Sequence, residues 1–126
     1  MERFTSGAPW EAIAGYSRSV RAGRFVFVAG TTGTVEGQVC SPGDAYAQTA
    51  QALRNVEAAL QLAGATLADV VQTRLYVTDI GRWEDVGRAH REVFADAAPV
   101  TAMIGVCALV DPEMLVEVEA VAYLAT

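Results

Sequence analysis

Metal-binding and redox side chains are scarce in this chain of 126 residues, which has one histidine, His90, and two cysteines, Cys40 and Cys107. One imidazole and two thiols far apart in sequence cannot build a tetrahedral zinc site, so no metal is expected. The same two thiols fit a reduced compartment better than a disulfide framework. Positive charge is also short: 9 Lys and Arg stand against 15 Asp and Glu, for a net charge of −6. Such a chain repels phosphate backbones, which argues against non-specific nucleic-acid binding. Arg18, Arg21 and Arg24 are spaced by apolar residues and read as an exposed strand face. No apolar run approaches the roughly 18–20 residues of a membrane span. The opening Met1–Thr5 lacks the basic-then-apolar pattern of a secretory leader. Together these absences predict a cytoplasmic protein with no membrane or nucleic-acid partner. Internal repeats, low-complexity stretches and charge blocks are missing too.

What remains is apolar. Hydrophobic residues make up 52% of the chain, charged ones 19%, and the mean hydropathy is +0.27. A length of 126 residues suits one domain, residues 1–126, and needs no covalent staple. The apolar excess predicts a subunit interface.

The first third is strand-rich, with strands over Tyr16–Arg21 and Arg24–Gly30 and a turn at Ala22-Gly23. Phe25–Ala29 is apolar on both faces, which predicts cover on both sides. Gly30-Thr31-Thr32-Gly33 interrupts the pattern, and Ser41–Asp44 turns into a helix with Asp44 as N-cap. Thr49, Leu53, Val56, Leu60 and Ala63 recur at helical spacing, and Gly64 suits the position after the helix. Val70–Thr78 reads as a strand. Asp79 can cap a second helix carrying Trp83, Val86, His90, Val93 and Phe94 on one stripe, ended before Pro99. Strands over Thr101–Leu109 and Leu115–Leu124 close the chain. The order β-β-α-β-α-β-β places both helices on one side of a sheet and leaves the other side for association.

The chemistry-bearing residues concentrate in the last strand. Alternation puts Glu117 and Glu119 on one face and Val116, Val118 and Ala120 on the other. The valines belong under the helices, so the glutamates face the interface side. There they are either desolvated acid–base groups or a solvated, salt-bridged pair. Arg74 is the natural ion partner, as a structural pair or a substrate clamp. Tyr16 either presents its hydroxyl to a cleft or sits in the core. His90 reads as a core histidine. Cys107 has no base nearby and reads as a small buried residue. Gly30–Gly33 lacks the spacing of a phosphate-binding loop.

Six segments in this order carry a family resemblance: Tyr16, Val26–Gly30, Gln48–Val56, Gly64–Val71, Tyr76–Ile80 and Val116–Ala120. From about Gly15 to Ala122 the chain resembles the reactive intermediate deaminase (Rid, or YjgF) family. The resemblance implies an α+β, chorismate-mutase-like fold, a six-stranded mixed sheet with two helices packed on one face. It also implies a homotrimer with small-molecule clefts between subunits, working without a cofactor. Archetypal members hydrolyse 2-imino and enamine acids to 2-oxo acids and ammonia. Carried over by position, Glu119 and Tyr16 would be catalytic. Ala29, Gly30 and Thr31 would form the backbone wall, and Trp83 would close the cleft. The family's carboxylate-gripping arginine lies two residues after a proline. Here Pro99 is followed at that distance by Thr101, and Met103 stands where archetypal members often have cysteine. A neutral side chain cannot copy a two-point guanidinium grip. The expected function is therefore hydrolysis of an imine, enamine or related carbonyl-derived intermediate other than the standard 2-imino acids, with Thr101, Met103 and Arg74 among the substrate-binding residues. The alternative is a non-catalytic trimer that binds a metabolite or acts as a scaffold.

Overall fold

A computed structural model describes residues Met1–Thr126. The strict alternation in strand β8, Val116–Tyr123, fixes its layers. Val116, Val118, Ala120 and Ala122 are buried in the core, while Glu117, Glu119 and Val121 lie on the opposite face. The strands are β1 (Glu2–Phe4), β2 (Ser19–Ala22), β3 (Phe25–Thr32), the minor pair β4 (Thr34–Val35) and β5 (Gln38–Val39), then β6 (Val70–Val77), β7 (Val100–Gly105) and β8. The helices are α1 (Pro9–Ala14), α2 (Ala45–Leu62) and α3 (Trp83–Phe94). Six strands form one mixed sheet in the order β1-β2-β3-β8-β6-β7. β6 and β7 run parallel because α3 crosses between them; the other neighbours are antiparallel.

Helix α2 follows its sequence signals. The Asp44 carboxylate accepts from the Ala47 amide at 2.9 Å, satisfying an orphan donor of the first turn. Thr49, Leu53, Val56 and Leu60 are all buried against the sheet. Gly64 takes a left-handed φ of 82°, letting Ala65 N bond back to Leu60 O at 2.9 Å. Gln48, also buried, ties α2 to a loop: its Nε2 donates to Glu113 O at 3.0 Å and its Oε1 accepts from Leu115 N at 2.9 Å. In α3, Val86 and Phe94 are buried, and His90 lies beside Phe94 with ring centroids 4.7 Å apart.

The two main helices share one face of the sheet, as expected. The helix-free face carries a patch of exposed apolar side chains. Phe25, Phe27 and Tyr123 are 45%, 47% and 40% exposed, and the Phe25 ring lies 5.0 Å from Tyr123 and 6.2 Å from Phe27. Val100 and Ile104 of β7 are exposed as well.

Several expectations fail locally. The short β1 and α1 have no counterpart in the sequence reading; six residues of helix carry too weak a signal alone. Tyr16 does not open a strand, since α1 ends at Gly15 and β2 starts only at Ser19. β3 runs on through Gly30 to Thr32, its ladder with β8 broken by a bulge between Val28 and Thr31. β7 stops at Gly105, not Leu109, so Cys107 leaves the sheet and is exposed rather than buried. Trp83 is 55% exposed at the first turn of α3 and does not share the buried stripe. Arg18, Arg21 and Arg24 are not a solvated row; each donates to backbone carbonyls of neighbouring segments. No helix is long and apolar enough to cross a membrane.

Candidate functional site

β2 is shorter than β3, so the edge of β3 beyond Val28 has no strand beside it. The segment Thr5–Arg18, containing α1, covers that edge at a distance and leaves a cavity of about 1040 Å³ between itself, β3 and α2. Tyr16, Arg18, Glu117, Thr31, Trp10 and Asn55 are among its lining residues.

Glu11 anchors the covering segment. It is buried, and its carboxylate accepts from Thr5 Oγ1 at 2.6 Å, from Ser6 N at 3.0 Å and from the Ser6 hydroxyl. Burial works against its charge, but the Ser6 and Thr5 hydrogen bonds and nearby Arg18 outweigh it and hold the carboxyl below the usual carboxylate range. Arg18 Nε stands 3.7 Å from Glu11 Oε2. The Arg18 guanidinium then crosses to β3, donating to Thr31 Oγ1 at 3.1 Å and to Gly30 O at 3.2 Å. Its backbone is tied on both sides, to Phe4 O at 2.7 Å and from Ala29 N at 3.0 Å. The wall Ala29–Thr31 is thus pinned by one arginine that is itself neutralised by a buried carboxylate. The sequence reading missed Glu11 and Arg18; the only signal was an acid and a base seven residues apart around a glycine.

The glutamate pair of β8 divides here. Glu119 accepts a hydrogen bond from the Tyr76 hydroxyl of β6, and that bond, with burial adding to it, raises the tyrosine's pKa. Arg74 is Glu119's register partner on β6. It is exposed, and no ion pair joins the two, so the expected Arg74–glutamate bridge is not made. Glu117 reaches the cavity instead. Its carboxyl lies against Gly30, so closely that a Cβ there would stand 2.7 Å from Glu117 Cδ and Oε2. No group of the chain donates to this carboxyl. Burial raises its pKa, the charge of Glu119 raises it further, and Arg18 opposes the shift only in part.

Tyr16 and Thr31 line one cavity, with Ala29 and Gly30 adjacent to Thr31 along β3. Glu119 and Arg74 stand on the neighbouring helix-free face. Thr101 and Met103 do not join them within one chain. Thr101 points to the helix side, where its hydroxyl meets Thr73 Oγ1 at 2.9 Å and donates to Pro99 O at 3.1 Å. Thr73 in turn bonds His90 Nε2 at 2.8 Å. Burial lowers the His90 pKa, so the ring is neutral near pH 7. Met103 packs against the core from the same side. Trp83 does not line the cavity.

Comparison with known proteins identifies relatives of the whole fold. The family model described as endoribonuclease L-PSP matches residues 5–124. A structure of a YjgF/YER057c/UK114 family member from Mycobacterium tuberculosis is 52% identical, covers 98% of both chains and superposes with a TM-score of 0.89. The YjgF gene product of E. coli is 26% identical over 98% of both chains, with a TM-score of 0.85. Among sequences, a RutC family protein of Pyrococcus horikoshii is 34% identical over 122 residues, 95% of this chain and 94% of that one.

Proposed function

Because the chain belongs to the endoribonuclease L-PSP, or YjgF, family and has its α+β fold, we propose that it hydrolyses a small imine, enamine or related carbonyl-derived intermediate in clefts completed by a second copy of itself. The observation that carries this reading is the cavity in which an unpaired carboxyl, Glu117, and a phenol, Tyr16, face the same space beside the backbone wall at Gly30. A carboxyl and a hydroxyl at a water-accessible cleft are the parts that proton transfer to a C=N bond needs. Assembly as a trimer is supported by the exposed aromatic face of Phe25, Phe27 and Tyr123. A second copy docked there would cover Glu119 and the Tyr76 hydroxyl as well, bringing both β8 glutamates close to the joint.

The standard 2-imino acids are poor candidates. Thr101 offers no charge and its hydroxyl is already used. Losing a charged two-point contact costs about 3 kcal/mol, or about two decades in affinity or rate. The ribonuclease activity in the family description finds little support: the net charge is −6, and the one guanidinium in the cavity is committed to Glu11, Gly30 and Thr31. A metabolite-binding trimer without turnover remains the second reading, favoured by Thr101 at the family's arginine position.

The test is direct. 2-Iminopropanoate and larger, uncharged imines are generated in solution and ammonia release is followed. We expect slow turnover of the former and faster turnover of the latter. A Thr101→Arg variant should gain activity on 2-iminopropanoate by at least tenfold. Archetypal rates on 2-iminopropanoate without that change would refute the role given to Thr101. No turnover of any imine, with a metabolite co-purifying, would favour the binding reading.

A further inference from the structure

We propose that Glu117, rather than Glu119, is the carboxyl that passes protons to a ligand in this cavity, and that the ligand is an uncharged imine. The inference rests on the hydrolase reading above and names the group and substrate class within it.

Three observations point to Glu117. It lines the cavity together with Tyr16, whereas Glu119 does not. Its carboxyl is unpaired, whereas that of Glu119 is occupied by the Tyr76 hydroxyl. Its approach to the wall depends on the missing side chain of Gly30, where a Cβ would also stand 3.2 Å from Glu117 Cγ. A glycine at that point, with no left-handed φ to explain it, makes room for an acid.

The charged and titratable surroundings agree. Glu119 lies two residues along the same strand. From β6 come Tyr76, the register partner of Glu117, and Arg74 one strand position pair away. From the covering segment come Arg18 and Tyr16; the register partner on β3, Thr32, does not titrate. Arg18 is the only cation lining the cavity, and Glu11 already balances it. Glu36 adds a further negative charge to the lining. Burial and the charge of Glu119 keep the proton on Glu117 to a higher pH than an ordinary glutamate would hold it. A ligand carboxylate would meet Glu117 and Glu36 in the lining with no free cation to receive it.

The step balances with water as the co-reactant. The Glu117 carboxyl gives its proton to the imine nitrogen as water adds to the carbon and the C=N π bond breaks. The resulting carboxylate takes a proton from that water, leaving a neutral carbinolamine. The C–N bond then breaks, the hydroxyl oxygen closes the carbonyl, and its proton passes through Glu117 to nitrogen. Ketone and ammonia leave.

Benzophenone imine is a stable, uncharged probe for the test. Its hydrolysis is followed from pH 5 to 9 with the full-length wild type and with Glu117→Gln, Glu117→Asp and Glu119→Gln. We expect Glu117→Gln to lose on the order of 100-fold in kcat, the size of one general acid. Glu117→Asp should retain part of the rate with a shifted pH limb, and Glu119→Gln should lose less in kcat than Glu117→Gln while moving that limb to lower pH, because the charge that helps hold the Glu117 proton is gone. The reverse pattern for the two Gln variants overturns the assignment. In parallel, a carbon NMR titration of labelled glutamate carboxyls is read with and without benzophenone, using Glu117→Gln to identify the signal. The Glu117 signal should titrate above the ordinary value of about 4.3 and move when benzophenone binds. If wild type does not hydrolyse the imine, the hydrolase reading fails by itself. The assignment of Glu117 then falls only if its signal titrates like free glutamate and ignores benzophenone.

Discussion

Two glycines three residues apart should respond in opposite ways to the same substitution. Neither Gly30 nor Gly33 has a left-handed φ, so alanine meets no backbone strain at either. What differs is the neighbour. At Gly30 the added methyl meets the carboxyl end of Glu117 at 2.7 Å, a flexible side chain that can rotate away. At Gly33 it meets the backbone of Gln48, with the carbonyl oxygen at 2.6 Å and Cα at 3.1 Å. That carbonyl belongs to the first turns of α2, which the buried Gln48 side chain locks to Glu113 and Leu115. Alanine lowers the entropy of the unfolded chain, contributing about 0.4–1 kcal/mol in favour of folding at both sites. Overpacking against rigid backbone costs about 1–3 kcal/mol. Gly30→Ala should therefore stay within about 1 kcal/mol of wild type, and Gly33→Ala should lose about 1–2 kcal/mol, or about 4–8 °C in Tm. Urea unfolding at one fixed protein concentration, far-UV detected, measures both; the fixed concentration matters because assembly contributes to stability. The functional order is inverted. Gly30→Ala, though stable, should displace Glu117 from the wall and cut turnover of an uncharged imine by about tenfold or more, a large part of one general acid. Equal destabilisation by the two variants, or a Gly30→Ala protein with unchanged turnover, would refute the steric reasoning.

Three further outcomes are expected. Gln48→Leu keeps the volume but leaves the Leu115 amide and the Glu113 carbonyl without partners, and should cost about 2–4 kcal/mol by urea unfolding. Glu11 has a depressed pKa in the folded chain, so the stability it contributes is present above the unfolded value of about 4.3 and is lost as pH falls through its lower folded value. Hydrogen exchange of residues 5–18 should rise below about pH 4 in wild type, and Glu11→Gln should show raised exchange at neutral pH with little further change on acidification. Phe27→Asp places a charge in the centre of the exposed aromatic face, and native mass spectrometry should find a monomer where wild type gives a trimer; a trimer in both would sink the assignment of that face to assembly.

The layers of the fold could be read from the chain because burial imposes a period on it. Val116, Val118 and Ala120 alternate with Glu117 and Glu119, and a two-residue period with that contrast has one solution in a one-sided sheet. The stripe from Thr49 to Leu60, the Asp44 cap and the terminal Gly64 were legible for the same reason: each satisfies a local backbone or burial requirement. β7 carried no such contrast. Val100, Ala102 and Ile104 are no more apolar than Met103, so nothing in its pattern said which side Thr101 would face; the parallel pairing with β6 decided that by setting Thr101 against Thr73. The separation of the two glutamates was invisible for a different reason. Alternation puts both on one face, and only the bulge between Val28 and Thr31 and the bare Gly30 let one of them turn into the cavity. The cavity itself arises from contacts between distant segments, Glu11 with Arg18 and Arg18 with Gly30 and Thr31. Local periodicity therefore set the sheet, its helices and their sidedness. The site came from long-range packing, whose partners meet only once the chain has closed on itself.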